Sequence, residues 1–168
     1  LVRDTRFQTA ARIASDLESN GGFLTESSGN NTFALSTEVI PENIWQGLDA
    51  LRNAVLHPAF KPETIARERE AQLAQLKEIR DEILDYGRLA LRQKFYGEHP
   101  FSSGPLGNLD SVARLDEAVL RSHYKKLIVA SNSVLVAAGD FDPDTLIPRL
   151  EDFMRDLPET AFQKPDLA

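Results

Sequence analysis

The chain has no cysteine. That excludes a disulfide framework, a thiolate zinc site, an iron–sulfur cluster and a cysteine nucleophile. Positive charge is in deficit: 19 Lys and Arg stand against 26 Asp and Glu, a net charge of -7. An acidic chain without a basic stripe is a poor match for nucleic acid or an anionic membrane surface. No apolar run approaches the roughly 20 residues that a membrane-spanning helix needs. Internal repeats and low-complexity segments are also missing. What is present is an ordinary globular mixture, 42% hydrophobic and 27% charged over 168 residues, about one domain on the usual prior of ~150 residues. The opening Leu1-Val2-Arg3-Asp4 is neither an initiator Met nor a signal peptide, and reads as the interior of a longer polypeptide.

Apolar spacing sets the expected elements. Phe7, Ala10, Ile13, Ala14 and Leu17 predict a helix over 5–19, stopped by Asn20-Gly21-Gly22. Residues 23–28 and 32–39 predict a hairpin around Gly29-Asn30-Asn31, with Phe33, Leu35, Thr37 and Val39 on one face. Pro41 opens a second helix with Ile44, Leu48, Leu51 and Val55 as its stripe and Trp45 beside it, closed by His57-Pro58. Lys61-Pro62 opens a long third helix carrying Ile65, Leu73, Leu76, Ile79 and Ile83. A break at Asp85-Tyr86-Gly87 is expected to separate a fourth helix over 88–96. After a loop over 97–108 come a short helix (109–115) and a helix N-capped by Asp116 (117–127). An apolar strand over 133–138 follows, then a helix from Asp142-Pro143 that Pro148 should kink or delay. This order predicts an α+β domain with a thin sheet.

The chemistry readable from residues alone is sparse. His57, His99 and His123 never fall at i, i+3 or i, i+4, the spacing that puts two imidazoles on one zinc. Glu68, Glu70, Glu78, Asp81, Glu82 and Asp85 interleave with Arg67, Arg69, Lys77 and Arg80, which reads as a solvated helix face with short-range ion pairs. Gly104-Pro105-Leu106-Gly107-Asn108 lacks the ending of a phosphate loop, and Ser102, Ser103 and Ser122 lack a nucleophile elbow. Asn30-Asn31-Thr32 fits the glycosylation triplet, a pattern common by chance.

One ordered set of short motifs adds more. Leu17-Glu18 with Gly21-Gly22 comes first, then Pro58-x-Phe60 and Glu68-Arg69-Glu70 ahead of a long helix. Phe95-Tyr96-Gly97-Glu98-His99-Pro100-Phe101 follows, and then Pro105-Leu106-Gly107 with Leu115. Tyr124, Asn132, Val134-Leu135-Val136, Gly139-Asp140-Phe141-Asp142 and Leu157-Pro158 complete it. In this order they resemble the pitrilysin/insulinase zinc metallopeptidases (inverzincins), which include processing peptidases.

The resemblance implies a two-layer metallopeptidase-like domain, helices on a mostly antiparallel sheet. Residues 1–168 would form a single domain, the C-terminal two-thirds to three-quarters of one family repeat, lacking its N-terminal strands and its His-x-x-Glu-His motif helix. In the family, zinc is held by that motif's two His and by a Glu seven positions after the first Glu of Glu-Arg-x. Here that position is Gln75, a neutral and poor ligand. Glu68 matches a supporting acidic position, and Glu78 lies one turn beyond Gln75. The resemblance thus implies no catalytic or metal-binding residue in this chain, with zinc belonging to the parent family. It implies a non-catalytic domain forming a substrate-chamber wall, with a catalytic half or subunit and an unfolded peptide as partners. Two alternatives stay open: a fragment of an active half using Glu78 or Glu70 as ligand, and a structural subunit without peptidase activity. Unpaired strand edges would favour homo-oligomers.

Overall fold

The computed structural model describes residues 3–29 and 31–164. Asn30, and with it the glycosylation triplet and the centre of the expected turn, lies outside the described residues. The chain clusters into two compact units: one of residues up to Ser27 with Ala34–Phe60 and Arg121–Gln163, the other of Ser28–Phe33 with Lys61–Leu120.

In the first unit, α1 (Ala10–Glu18) starts later than its apolar spacing predicts. Thr9 is the N-cap, its hydroxyl accepting from the Arg12 N–H. Asp4 accepts from the Ala10 N–H at 2.8 Å, and Thr5 forms an antiparallel bridge with Pro58. These bonds, one of them to a residue far along the chain, hold residues 4–9 out of the helix, so Phe7 is exposed, edge-on to His57. Ile13 and Leu17 are buried. Gly21, at φ +70, lets the chain reverse while the Gly22 N–H donates to the Leu17 carbonyl. The strands β1 (Phe23–Ser28) and β2 (Phe33–Glu38) pair as an antiparallel hairpin.

A short 3-10 turn at Pro41–Asn43 leads into α2 (Ile44–Leu56). Its buried residues are Gly47, Leu51 and Ala54, one step round from the expected stripe; Ile44, Leu48 and Val55 flank them half-buried. The missing side chain at Gly47 is what lets the neighbouring chain approach this face. Val39 is held there between two glycines, its Cγ1 2.7 Å from where a Cβ on Gly22 would sit and 2.8 Å from one on Gly47. The last helix, here α7 (Pro143–Arg155), is N-capped by Asp142 and buries Leu146 and Phe153. Pro148 does not delay it; the helix runs through. Arg52 and Asp156 form a salt bridge at the surface, worth at most about 1 kcal/mol.

The expected strand over 133–138 is not formed. The segment has no strand partner among the described residues, and Val134 and Val136 are 89% and 79% exposed. A strand exists only as part of a ladder, so apolar β-branched sequence without a neighbour stays an extended segment. We expect residues 1–168 in isolation to self-associate through it. Val134→Lys with Val136→Lys should then lower the mean mass in light scattering, and a clean monomer before substitution would count against the idea.

The second unit holds α3 (Pro62–Asp81), α4 (Ile83–Tyr96), a 3-10 turn at Pro100–Ser102 and α5 (Leu109–Ala113). The break between α3 and α4 is at Glu82, whose φ -92 and ψ 106 are extended, not at Asp85-Tyr86-Gly87. Gly87 sits inside α4, at a cost near 1 kcal/mol relative to Ala. Asn108 and Ser111 form a reciprocal capping box at the start of α5. The helix α6 (Glu117–Leu127) is preceded by Asp116, which accepts from the Val119 N–H at 2.8 Å as expected of an N-cap. Buried apolar side chains in this second unit are few: Leu76 and Val112 among the described residues.

Candidate functional site

The site implied by the motifs lies on α3. Pro62 in its first position and Glu63 in its first turn suit the helix start. One face turns inward. Leu76 is buried on it, with Ile65 and Ile79 half-buried. Arg69 Nη1 donates to the Leu115 carbonyl and Gln72 Nε2 to the Leu106 carbonyl, each at 2.8 Å. These bonds fasten the 104–115 segment to α3. They give two of the family-like motifs a mechanical role: the Arg of Glu68-Arg69-Glu70 anchors Leu115, and the Pro105-Leu106-Gly107 turn is anchored by Gln72 one helical turn later. Gly107, at φ +74, supplies the turn. Sequence reasoning missed Arg69 and Gln72 as anchors, because nothing in their spacing distinguishes an inward from an outward polar residue.

Glu68, Gln75 and Glu78 share another face. Glu68 is half-buried with an oxygen 3.5 Å from Arg67 Nη2; Gln75 and Glu78 are exposed. Glu70 is exposed on a different side, five residues from Gln75. At 1.5 Å per residue, Glu68 and Glu78 stand about 15 Å apart along the axis. One zinc ion needs its donors at ~2 Å, so those two carboxylates cannot share it. Among the described residues no group of three or more His, Cys, Asp or Glu comes together. The donors that the described residues bring together therefore do not fit a zinc ion by themselves.

Each histidine has a local role or none. His57 is half-buried against Phe7. His99 Nδ1 accepts from the Phe101 N–H at 3.1 Å and stabilises the turn at Pro100. His123 is exposed on α6. The acidic run behaves as a solvated face, with pairs such as Arg88–Asp85 at 3.1 Å.

The Pro58-x-Phe60 and Tyr124 motifs meet in the first unit. Phe60 has φ 52, a strained value for a bulky residue. Two side chains contact its ring. The Arg121 guanidinium lies 5.1 Å from its ring centroid and donates to the Ala59 carbonyl, and Tyr124 packs edge-on at 5.6 Å. The Tyr124 hydroxyl donates to the Val55 carbonyl at 2.8 Å, near the end of α2. Burial pushes the Tyr124 pKa above its usual value, partly countered by the charge of Arg6. A raised folded-state pKa means this stabilisation is complete below the unfolded value of 10.0 and fades as pH rises through the folded one. In an alkaline absorbance titration, Tyr124→Phe should remove a component that titrates later than free tyrosine. Loss of an ordinary component instead would refute this reading.

A cavity of about 210 Å³ is lined by Ile44, Trp45, Phe141 and Leu146 together with Asp140 and Asp142. It is smaller than the roughly 300–1,000 Å³ of ligand pockets. Arg149 stacks 5.9 Å from the Trp45 ring centroid. No helix among the described residues is long and apolar enough to cross a membrane.

Residues 2–107 match the family described as insulinase (peptidase family M16), and residues 114–168 match the peptidase M16 inactive domain. A non-peptidase homolog, YmxG, of Helicobacter pylori is 21% identical, over 98% of this chain and 38% of its own length. An uncharacterized zinc protease of Rickettsia bellii is 27% identical, over 89% of this chain and 36% of its own. Among solved structures, a peptidase M16 inactive domain from Pseudomonas fluorescens superposes with TM-score 0.90 at 19% identity, covering 97% of this chain and 40% of that one. The chain thus spans under two-fifths of the length of these curated relatives. The match over residues 2–107 shows that the chain belongs to peptidase family M16.

Proposed function

We propose that these residues form a non-catalytic domain of an M16 protein, contributing wall to a peptide-binding chamber beside a catalytic half. The observation that carries this reading is Gln75: the position from which the resemblance expects a zinc-binding carboxylate holds a neutral amide, and it is exposed with no histidine cluster near it among the described residues. Support comes from the M16 inactive domain match and from a relative described as a non-peptidase homolog. The second reading, an active half completed by Glu78, rests on Glu78 standing one turn from Gln75 on the same face. It draws on the relatives described as zinc proteases.

Elemental analysis of zinc in the full-length protein that contains this segment separates the two. Glu78→Ala and Glu70→Ala are expected to leave the zinc content per polypeptide unchanged, because this domain supplies no ligand. Loss of zinc in either variant would overturn the proposal in favour of the second reading.

A further inference from the structure

The face of α4 is unlike any other surface of the second unit. Ile83, Leu84, Leu91 and Phe95 are 86%, 75%, 69% and 78% exposed. Ile83, Gly87, Leu91 and Phe95 follow one i, i+4 row, the ridge that helices use to pack on helices. Gly87 lies at the middle of that row, and nothing among the described residues comes within 4 Å of where its Cβ would be. An interior helical glycine is costly, and nothing around this one repays the cost. The unit also lacks core: Leu76 and Val112 are its buried apolar side chains among the described residues, while a row of large ones faces outward.

We propose that α4 is a helix-docking surface, and that its occupant is an amphipathic helix of the M16 sequence accompanying this domain, crossing α4 at Gly87. This rests on the reading above that further family sequence works beside it. The relatives supply the length for such a helix, since this chain spans 38% and 36% of theirs. The glycine sets a close crossing and calls for a small residue opposite. Lys94, in the last turn of α4, sets the direction; Asp85, in the first, is paired with Arg88 of the same helix. An antiparallel helix with acidic residues toward the Lys94 end is therefore complementary, in both charge and dipole.

The sign of one substitution tests the idea. On a solvated helix, Gly87→Leu or Gly87→Ala raises the melting temperature, because glycine is the poorest non-proline helix former. Under a docked helix, Gly87→Leu obstructs the crossing. In the full-length protein we expect Gly87→Leu to lower Tm by a few degrees, independently of protein concentration. A rise in Tm overturns the proposal. A fall that weakens with increasing protein concentration makes the occupant a second copy and overturns it too. If Gly87→Leu does not fold, hydroxyl-radical footprinting of the unaltered protein gives the answer: Leu91 and Phe95 should oxidise slowly, and solvent-like rates refute the docking. Zinc measured on the same samples keeps the two proposals apart. Unchanged zinc in Glu78→Ala with a raised Tm in Gly87→Leu sinks only the docking.

Discussion

Phe153→Ala is expected to lower the free energy of unfolding by about 3–5 kcal/mol, the range for removing a fully buried aromatic ring. Phe153 and Leu146 lie two turns apart on α7, and both are buried, as is Leu157 just past the helix. They contribute to the same unit as Ile13, Leu17, Leu51 and Ala54. A phenyl ring is too large for its neighbours to collapse into, so the loss comprises both the transfer term and a cavity term. Urea titration is the measurement, with a lower midpoint and an unchanged slope. A loss below about 1 kcal/mol would show that α7 is not a core element.

Gly22→Ala is expected to cost about 1–3 kcal/mol by overpacking. Gly47→Ala should cost less, because the helix gains up to ~1 kcal/mol from alanine. The two sites crowd the same Val39 but differ in what else they meet. A Cβ at Gly47 would lie 2.8 and 3.1 Å from the two Val39 methyls and 3.3 Å from Thr37 Oγ1, all side-chain atoms. At Gly22 the obstacles include the Glu38 carbonyl oxygen at 2.8 Å, which is backbone. Valine is stiff about χ1 and cannot swing clear. Adding Val39→Ala should therefore relieve Gly47→Ala and leave much of the Gly22→Ala penalty in place. Equal rescue at both sites in a double-mutant cycle would refute this account.

Elements set by local rules were legible in the sequence. The hairpin, α2, α6 and the Asp116 cap follow from periodicity and turn chemistry, and they stand close to where those rules place them. Failures came where a non-local bond or its lack decides. Thr5 looks like the start of a helix but is bridged to Pro58. Gly87 looks like a stop, yet the chain breaks at Glu82. Residues 133–138 look like a strand, and a strand needs a neighbour to be one. At the candidate site, Glu68 and Gln75 were singled out only through the family resemblance, and helical spacing added that Glu78 stands one turn from Gln75. The inward anchors Arg69 and Gln72 were not legible, because their acceptors are carbonyls far along the chain.

The order in which the two units are strung along the chain has a kinetic consequence. Residues 61–120 interrupt the first unit, whose last piece begins at Arg121. Arg52 must find Asp156, 104 residues later. During synthesis, at roughly 5–20 residues per second, α1, the hairpin and α2 wait several seconds without the side chains of α7 that complete their core. The inserted unit has by then been made in full, and its helix contacts are local and quick to form. Loop-closure entropy grows only slowly with length, so an insertion already collapsed into helices shortens the search rather than lengthening it. The unit that starts first should thus finish last, and its waiting hairpin is the stretch that a chaperone would meet.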